Sequence, residues 1–251
     1  MSKIFGNVEL IHPMDALEFV DGTGFLFKLH HLCGKQACMG WNYTLDFSWS
    51  YLQFEKWLED WWEDGSTDEW KDITILDIGV GPGILHHYLE CKYDINIVGV
   101  DRENPWKGPA RVDVVGDFCD KETQDKTLKG NKADFIMAIS AFEHNDYNAH
   151  KAVVDACIGC LAPGGRLIST VSVGRMSEHT DNQWNLTLEE LREIYRMADE
   201  YETPPDVYFD YIYRQWRKQS TLMSLYQNRY KKLDETSPHF IVAGAVVEKE
   251  E

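Results

Sequence analysis

A glycine-rich turn behind a short apolar run is the part of this sequence best suited to bind a ligand. The stretch ITILDIGVGPG contains Gly79, Gly81 and Gly83. Glycine has no Cβ, so the backbone can turn sharply here and approach a bound molecule closely. Asp77 places a carboxylate beside the turn, where it favours a cationic amine. The G-x-G-x-G spacing differs from the dinucleotide fingerprint, and Pro82 removes a backbone donor that a phosphate site could use.

Two histidines are candidates for proton transfer near neutral pH. His144 stands in AFEHND and His179 in MSEHTDNQW, and each follows a run with the pattern of a strand. Two interpretations of His144 stay open, namely a general base and a residue that organises its loop by hydrogen bonding. Trp184 either forms a wall of the substrate site or packs under the loop.

Alternating strands and helices from residue 73 onwards predict a mostly parallel sheet with helices on both faces. The predicted strands are 73–78, 95–100, 111–115, 134–139, 165–171, 207–209 and 239–247. The predicted helices are 84–91, 121–129, 146–161 and 188–198, the last of which follows a capping box of Thr187 and Glu190. Ligands of such sheets bind at the carboxyl ends of the strands, where the strand order reverses. This rule brings together Gly79, Asp101, Asp117 and Ser140.

These pieces resemble the class I S-adenosylmethionine-dependent methyltransferases, and they follow one another in the order of that family. The glycine turn resembles its motif I, and NIVGVD resembles its second strand. GDF at 116–118 resembles its adenine-side motif. DFIMAISAFEH at 134–144 and LAPGGRLISTV at 161–171 resemble its fourth strand with the following loop and its fifth strand. The resemblance covers residues 73–171 well.

The resemblance implies a Rossmann-like doubly wound α/β fold, with a mostly parallel seven-stranded sheet and an antiparallel last strand. It implies S-adenosyl-L-methionine as cofactor and S-adenosyl-L-homocysteine as product. By the same resemblance Asp101 would bind the ribose hydroxyls. The implied cofactor-binding residues are Asp77, Gly79, Val80, Gly81, Gly83, Asp101, Arg102, Asp117, Phe118, Ser140 and Ala141. The reaction would be an in-line displacement that the protein accelerates by positioning the reactants. A base is needed only if the acceptor must lose a proton.

The first 72 residues are predicted to precede the α/β domain, which occupies 73–251. Residues 1 to about 46 show no clear period. The segment 39–46 is either a packing arm or a lid over the cofactor, in which case Trp41 and Tyr43 contact the substrate. Phe54, Trp57, Leu58 and Trp61 recur at helical spacing and predict an amphipathic helix at 48–62 that packs on the sheet.

A local excess of basic residues marks a predicted helical insert before the last strand. The segment 211–232 contains six bases, namely Arg214, Arg217, Lys218, Arg229, Lys231 and Lys232. One interpretation is a solvated helix face. The other is a cap in which Arg214 and Arg217 bind an anionic group of the substrate.

The charge of the whole chain limits its partners. A net charge of -17, from 42 acids and 25 bases, argues against general binding to nucleic acid or to anionic lipid. No run is long enough for a membrane span, and the N-terminus lacks a signal-peptide core, so we expect a cytoplasmic protein with thiol cysteines. No metal is expected, because the cysteines and histidines match no common zinc spacing. We predict that Cys157 and Cys160 are buried helix positions.

The function predicted from these features is methyl transfer to a small-molecule or glycan acceptor. Two alternatives stay open. One is another S-adenosylmethionine-type transferase on this fold, such as an aminopropyl transferase. The other is a cofactor-binding scaffold without catalysis. Residues 139–142 read ISAF in place of an Asn-Pro-Pro-Tyr-like run, which favours an oxygen or another nitrogen over nucleobase and glutamine amines as the acceptor.

Overall fold

The computed structural model describes residues 4–10, 41–63, 73–104, 110–173, 178–180, 183–196 and 241–249. The strands are β1 (Ile4–Leu10), β2 (Ile75–Ile78), β3 (Ile97–Asp101), β4 (Val114–Val115), β5 (Ala133–Ile139), β6 (Leu161–Val173), β7 (Glu178–Thr180), β8 (Gln183–Asn185) and β9 (Ile241–Lys249). The helices are α1 (Trp41–Glu63), α2 (Ile84–Tyr93), α3 (Lys121–Leu128), α4 (Tyr147–Cys160) and α5 (Leu188–Ile194), with a 3-10 turn at Phe142–His144. The predicted capping box of Thr187 and Glu190 is present at the start of α5.

A seven-stranded sheet in the order β1-β9-β6-β5-β2-β3-β4 forms the centre of the fold. Strands β4, β3, β2, β5 and β6 are parallel to one another, whereas β9 is antiparallel to both β6 and β1. The predicted α/β class, with a mostly parallel sheet and an antiparallel last strand, is therefore confirmed. The chain passes from β2 to β3 and β4 on one side and returns to β5 on the other. The strand order thus reverses between β2 and β5.

The edge strand β1 was not expected from the sequence. Ile4–Leu10 pairs antiparallel with β9, although residues 1 to about 46 show no period. Part of the reason is Gly6, where a Cβ would collide with the backbone carbonyl of Tyr195. A glycine inside a short strand hides the alternation, and the close contact with the end of α5 requires it. The segment 207–209, predicted as the sixth strand, lies outside the described residues.

Apolar cores cover both faces of the sheet, as predicted. On β5 the side chains alternate, so that Phe135 and Met137 pack on one face with α1 and α2. Ile136 and Ala138 pack on the other face with α4 and α5. This double burial explains why the central strands are continuous apolar runs.

Helix α1 begins at Trp41, seven residues before the predicted start at 48. Its first described side chains include Asp46, Ser48 and Ser50, which are polar yet buried. Buried polar residues break the apolar period that defines a helix in the sequence, so the pattern becomes visible only from Phe54 onwards. The predicted packing of this helix on the sheet is confirmed, because Phe54 contacts the Phe135 ring edge-on at 5.2 Å between centroids.

No helix in the described part of the chain is long and apolar enough to cross a membrane. Within the same ranges, no group of three or more His, Cys, Asp or Glu side chains could hold a metal ion. Cys157 and Cys160 are free thiols buried on α4, at the positions predicted for them.

Candidate functional site

The glycine turn connects β2 to α2 in a conformation that suits glycine. Gly79, Gly81 and Gly83 all have positive φ, at 77°, 49° and 59°. The Gly79 N–H donates to the Val100 carbonyl on β3 at 2.7 Å, which anchors the turn to the neighbouring strand. A Cβ on Gly79 would lie 2.5 Å from the Cβ of Ala141. The turn after β2 and the loop after β5 are therefore in direct contact.

Asp101 at the end of β3 holds the same turn from the other side. Its Oδ2 accepts a hydrogen bond from the Gly81 N–H at 3.0 Å, and its Oδ1 accepts one from the Glu103 N–H at 3.4 Å. The sequence predicts Asp101 as a ligand-binding acid, but it does not show this second role. The carboxylate thus orients the glycine turn and borders the cavity at once.

A cavity of about 480 Å³ opens at this end of the sheet, where the strand order reverses. The glycine turn lets the backbone approach a ligand in this cavity without Cβ atoms in the way. All eleven predicted cofactor-binding residues line it, together with the predicted base His144. They are Asp77, Gly79, Val80, Gly81, Gly83, Asp101, Arg102, Asp117, Phe118, Ser140 and Ala141.

An ion pair closes the end of the cavity near β4. The Arg102 guanidinium donates to Asp117 Oδ2 at 3.0 Å and to Asn145 Oδ1 at 3.0 Å. Burial acts to raise the pKa of Asp117, but the hydrogen bond from the Cys119 N–H and the Arg102 charge lower it, and the net shift is downward. Asp117 therefore keeps its negative charge at this end. Phe118 is almost fully buried and forms the apolar wall beside it.

A histidine that sequence reasoning missed accompanies Asp77. His86 on α2 is buried, and its Nδ1 lies 3.0 Å from Asp77 Oδ2, while its Nε2 lies 3.5 Å from Glu90 Oε1. Burial acts to lower the pKa of His86. The hydrogen bond and charge of Asp77, with the charges of Glu90 and Asp113, outweigh burial and raise this pKa above its ordinary value. Asp77 is therefore a paired carboxylate in this structure.

The pairing of His86 with Asp77 predicts that stability depends on pH. Because the pKa of His86 is raised in the folded protein, its contribution is fully present below the unfolded pKa of about 6.5 and is lost as pH rises through the folded pKa. We expect His86→Gln to reduce the free energy of unfolding more at about pH 6 than at about pH 9. Urea denaturation of both proteins at the two pH values measures this. A difference that stays constant or grows with pH would contradict it.

Two buried acids, Asp46 and Glu143, lie behind Ser140. The Ser140 hydroxyl donates to Asp46 Oδ2 at 2.5 Å, and Asp46 belongs to α1, 94 residues away in sequence. Burial raises the pKa of Asp46 to about 8, the Ser140 hydrogen bond acts to lower it, and the Glu143 charge raises it. Burial likewise raises the pKa of Glu143 to about 7. No sequence pattern indicated Asp46, because it stands in a segment without a visible period.

The other predicted site residues lie away from the cavity lining or outside the described part. His179 is exposed on β7, opposite Trp184 on β8, and their rings are 5.1 Å apart. Neither is among the residues that line the cavity. Trp41 and Tyr43 start α1, but their side chains lie outside the described residues, as do Arg214 and Arg217. Among the residues of α1 whose side chains are described, Phe47 lines the cavity, and the sequence did not indicate it.

The central part of the chain matches a known protein family. Residues 76–169 match the family model described as "Methyltransferase domain". A cyclopropane-fatty-acyl-phospholipid synthase from Escherichia coli (strain K12) is 33% identical over 86 residues, which are 33% of this chain and 22% of that protein. The chain therefore matches about a fifth of the length of this curated relative.

Solved structures with similar folds include two further enzymes. One is a phosphoethanolamine N-methyltransferase 2 of Haemonchus contortus in complex with S-adenosyl-L-methionine, at 17% identity and a TM-score of 0.49, covering 94% of this chain and 60% of that one. The other is the cyclopropane synthase MmaA2 of Mycobacterium tuberculosis, at 17% identity and a TM-score of 0.43, covering 70% of this chain and 78% of that one.

Proposed function

We propose that this chain, whose residues 76–169 match the family model described as "Methyltransferase domain", is a class I S-adenosylmethionine-dependent methyltransferase that transfers a methyl group to a small-molecule or glycan acceptor. The family match agrees with the family and the cofactor expected from the sequence. The observation that carries the proposal is the cavity at the β2–β5 reversal, which gathers all eleven residues expected to hold that cofactor.

The residues of the cavity suit the parts of this cofactor in a fixed order along the strand edge. Asp101, at the end of β3, would accept hydrogen bonds from the ribose hydroxyls. Asp117 and Phe118, after β4, would form the adenine side. Asp77, on β2, and the glycine turn after this strand would hold the amino-acid end. When bound, S-adenosylmethionine supplies an electrophilic methyl group on a sulfonium sulfur.

The residues of this chain would accelerate the transfer mainly by positioning. Holding two reactants at attack distance can lower a barrier by about 7–11 kcal/mol. His144 is the candidate base for an acceptor that must lose a proton, since it is exposed and lines the cavity. An acceptor that is already a carboxylate or thiolate would need no base.

The acceptor is proposed as anionic, and the support comes from the sequence. The six bases at 211–232 would offset, over a short distance, the negative field of a chain with a net charge of -17.

A lipid is a further candidate acceptor. The curated relative is 33% identical to this chain over 86 residues, and its name concerns a fatty-acyl phospholipid. A lipid fraction therefore belongs among the acceptors tested.

Two measurements, made one after the other, test this function. Isothermal titration calorimetry of the full chain with S-adenosylmethionine, S-adenosylhomocysteine and NAD should give heat with the first two alone. Methyl-labelled cofactor is then incubated with aqueous and lipid fractions of a cell extract, and label should enter one acceptor. Binding of NAD without either S-adenosyl ligand would refute the cofactor. Binding without transfer to any fraction would favour the scaffold alternative.

Asp101→Ala should weaken S-adenosylhomocysteine binding by about 1–3 kcal/mol, which is roughly 5- to 150-fold in affinity. The change leaves the ribose hydroxyls without an acceptor and removes the hydrogen bond to the Gly81 N–H. Asp101→Asn retains an oxygen that can accept from Gly81, so it should lose less. Calorimetry gives the affinities, and thermal unfolding should change little. A large drop in Tm with unchanged affinity would make Asp101 a structural residue.

A further inference from the structure

One part of the cavity lies at β5, where the family resemblance implies cofactor-binding residues without saying which part of the cofactor they contact. Along the strand edge, β4 and β3 carry the residues expected for adenine and ribose, and β2 carries the glycine turn. Beyond β2 the next strand is β5, where Ser140 and Ala141 line the cavity. The sulfonium of the proposed cofactor lies between its ribose and its amino-acid end. The loop that carries Ser140 lies against the glycine turn, since a Cβ on Gly79 would lie 2.5 Å from the Cβ of Ala141. With the amino-acid end held at that turn, the sulfonium next to it would lie on the side of the cavity that Ser140 lines.

Ser140 is held rigidly at that place. Its N–H donates to the Thr170 carbonyl at 3.0 Å and to Thr170 Oγ1 at 3.1 Å, both on β6. Its φ is 47°, which an ordinary L-residue rarely adopts, so the surrounding structure imposes this conformation. The hydroxyl, fixed in this way, donates to Asp46 Oδ2. Ser140 thus connects the cavity wall to a carboxyl on α1.

Asp46 is fully buried, and one of its carboxyl oxygens is unsatisfied. Oδ1 has no hydrogen-bond partner within the described ranges, and the same is true of Oε2 of the buried Glu143. A buried polar atom without a partner is costly, and a charged one more so. A ligand with a positive charge in the cavity would offset that cost.

We propose that Asp46, acting through Ser140, makes this cavity prefer the cationic methyl donor over its neutral product. The inference depends on the proposed function, because it concerns the same cofactor. S-adenosylmethionine and S-adenosylhomocysteine differ by one methyl group and one positive charge at sulfur. A carboxylate behind Ser140 attracts the sulfonium and has no such attraction for the thioether. Asp46 is a positioning residue here and favours release of the product once the charge is gone.

The preference should depend on pH, and its sign follows from the acid. With its pKa raised to about 8, Asp46 is largely neutral below that pH and anionic above it. The affinity ratio of donor over product should therefore increase as pH rises, and donor binding should release a proton near pH 8. The α-amino group that both ligands share titrates in the same range, so the ratio of the two affinities is the quantity to follow.

Other ionisable groups lie at the cavity or on α1, and the Glu143→Gln variant tests the one whose charge acts on Asp46. On the wider surface of α1, Arg166 on β6 pairs with Asp60 and with Glu248 on β9. Next to Asp46, β6 contributes the neutral Thr170 hydroxyl. The remaining groups that line or border the cavity are Asp77, His86, Asp101, Arg102, Glu103, Asp117, Glu143 and His144.

The experiment is calorimetry of S-adenosylmethionine and S-adenosylhomocysteine with the wild type, Asp46→Asn and Glu143→Gln. Between about pH 6 and about pH 8.5 the wild-type affinity ratio should increase about tenfold, the scale of one nearby charge at intermediate dielectric. The ratio should stay flat in Asp46→Asn and increase in Glu143→Gln. Titrations near pH 8 in buffers of different protonation enthalpy should show release of about half a proton with the donor and less with the product.

Each outcome decides the proposal. A flat wild-type ratio, or an increase that Asp46→Asn retains, overturns it while leaving the proposed function intact. If Asp46→Asn does not fold, Glu143→Gln decides, because loss of the increase there would assign the effect to Glu143. Absence of binding by both ligands at every pH would overturn the proposed function as well, so the two failures are distinguishable.

Discussion

Gly79→Ala is expected to weaken S-adenosylhomocysteine binding about 100-fold, on the scale of the 1–3 kcal/mol that a strained backbone position costs. The φ of 77° at Gly79 disfavours alanine, and the added Cβ would lie 2.5 Å from the Cβ of Ala141. The turn after β2 and the loop after β5 must then separate, and both line the cavity. Calorimetry with the neutral product measures the loss without a contribution from the sulfonium charge.

Gly164→Ala is the matched control for this change. Gly164 has a φ of 74°, nearly the same as Gly79, but a Cβ there would meet nothing within 4 Å. It is not among the residues that line the cavity. The control should therefore share the backbone strain, with a modest loss of stability, and bind the ligand normally. Equal affinities for both variants would show that the Gly79 contact does not shape the cavity.

Phe54→Ala is expected to lower the free energy of unfolding by about 3–5 kcal/mol, the usual cost of removing a buried phenylalanine side chain. Phe54 is fully buried in α1. Its ring contacts Phe135 on β5, Trp57 on α1 and Tyr93 on α2, at centroid distances of 5.2, 5.6 and 5.6 Å. Urea denaturation measures the change.

Lys56→Ala tests the exposed side of the same helix and should change the free energy of unfolding by less than about 0.5 kcal/mol. The two variants test the predicted boundary at residue 72 between the N-terminal part and the α/β domain, which stays a prediction. A large loss for Phe54→Ala alone would mean that α1 is part of the domain's core. A loss below about 1 kcal/mol would instead fit a helix that is loosely attached, as a movable lid would be.

The order of the motifs, and with it the main part of the cofactor site, could be predicted from the sequence. Each motif is a short continuous segment, such as the glycine turn with Asp77 or the strand that ends at Asp101. Periodicity within about ten residues indicates a strand or helix, and a topology rule then places the strand ends together. All eleven of these residues line the cavity at the end of the sheet, and their binding of the cofactor stays a prediction.

The edge strand β1 could be recognised only from the tertiary structure. Ile4–Leu10 is recognisable as a strand only through its pairing with Ile241–Lys249, more than two hundred residues later in the chain. The glycine that lets it approach the end of α5 also removes a side chain from its pattern. Strand formation depends on such partners more than on intrinsic propensity, so the sequence of a short edge strand carries little signal.

The residues behind the cavity were likewise decided by tertiary contacts. By itself, the sequence determined which backbone turns and acids meet at the strand ends, because those features are local. It could not place Asp46 behind Ser140 or His86 beside Asp77, since no period or spacing describes a contact between different elements. Burial among those elements raises the pKa of Asp46 to about 8. Burial acts to lower the pKa of His86, but the hydrogen bond and charge of Asp77 and the charges of Glu90 and Asp113 outweigh it and raise this pKa. Their charges are therefore properties of the folded chain, because burial and neighbouring charges exist only after folding.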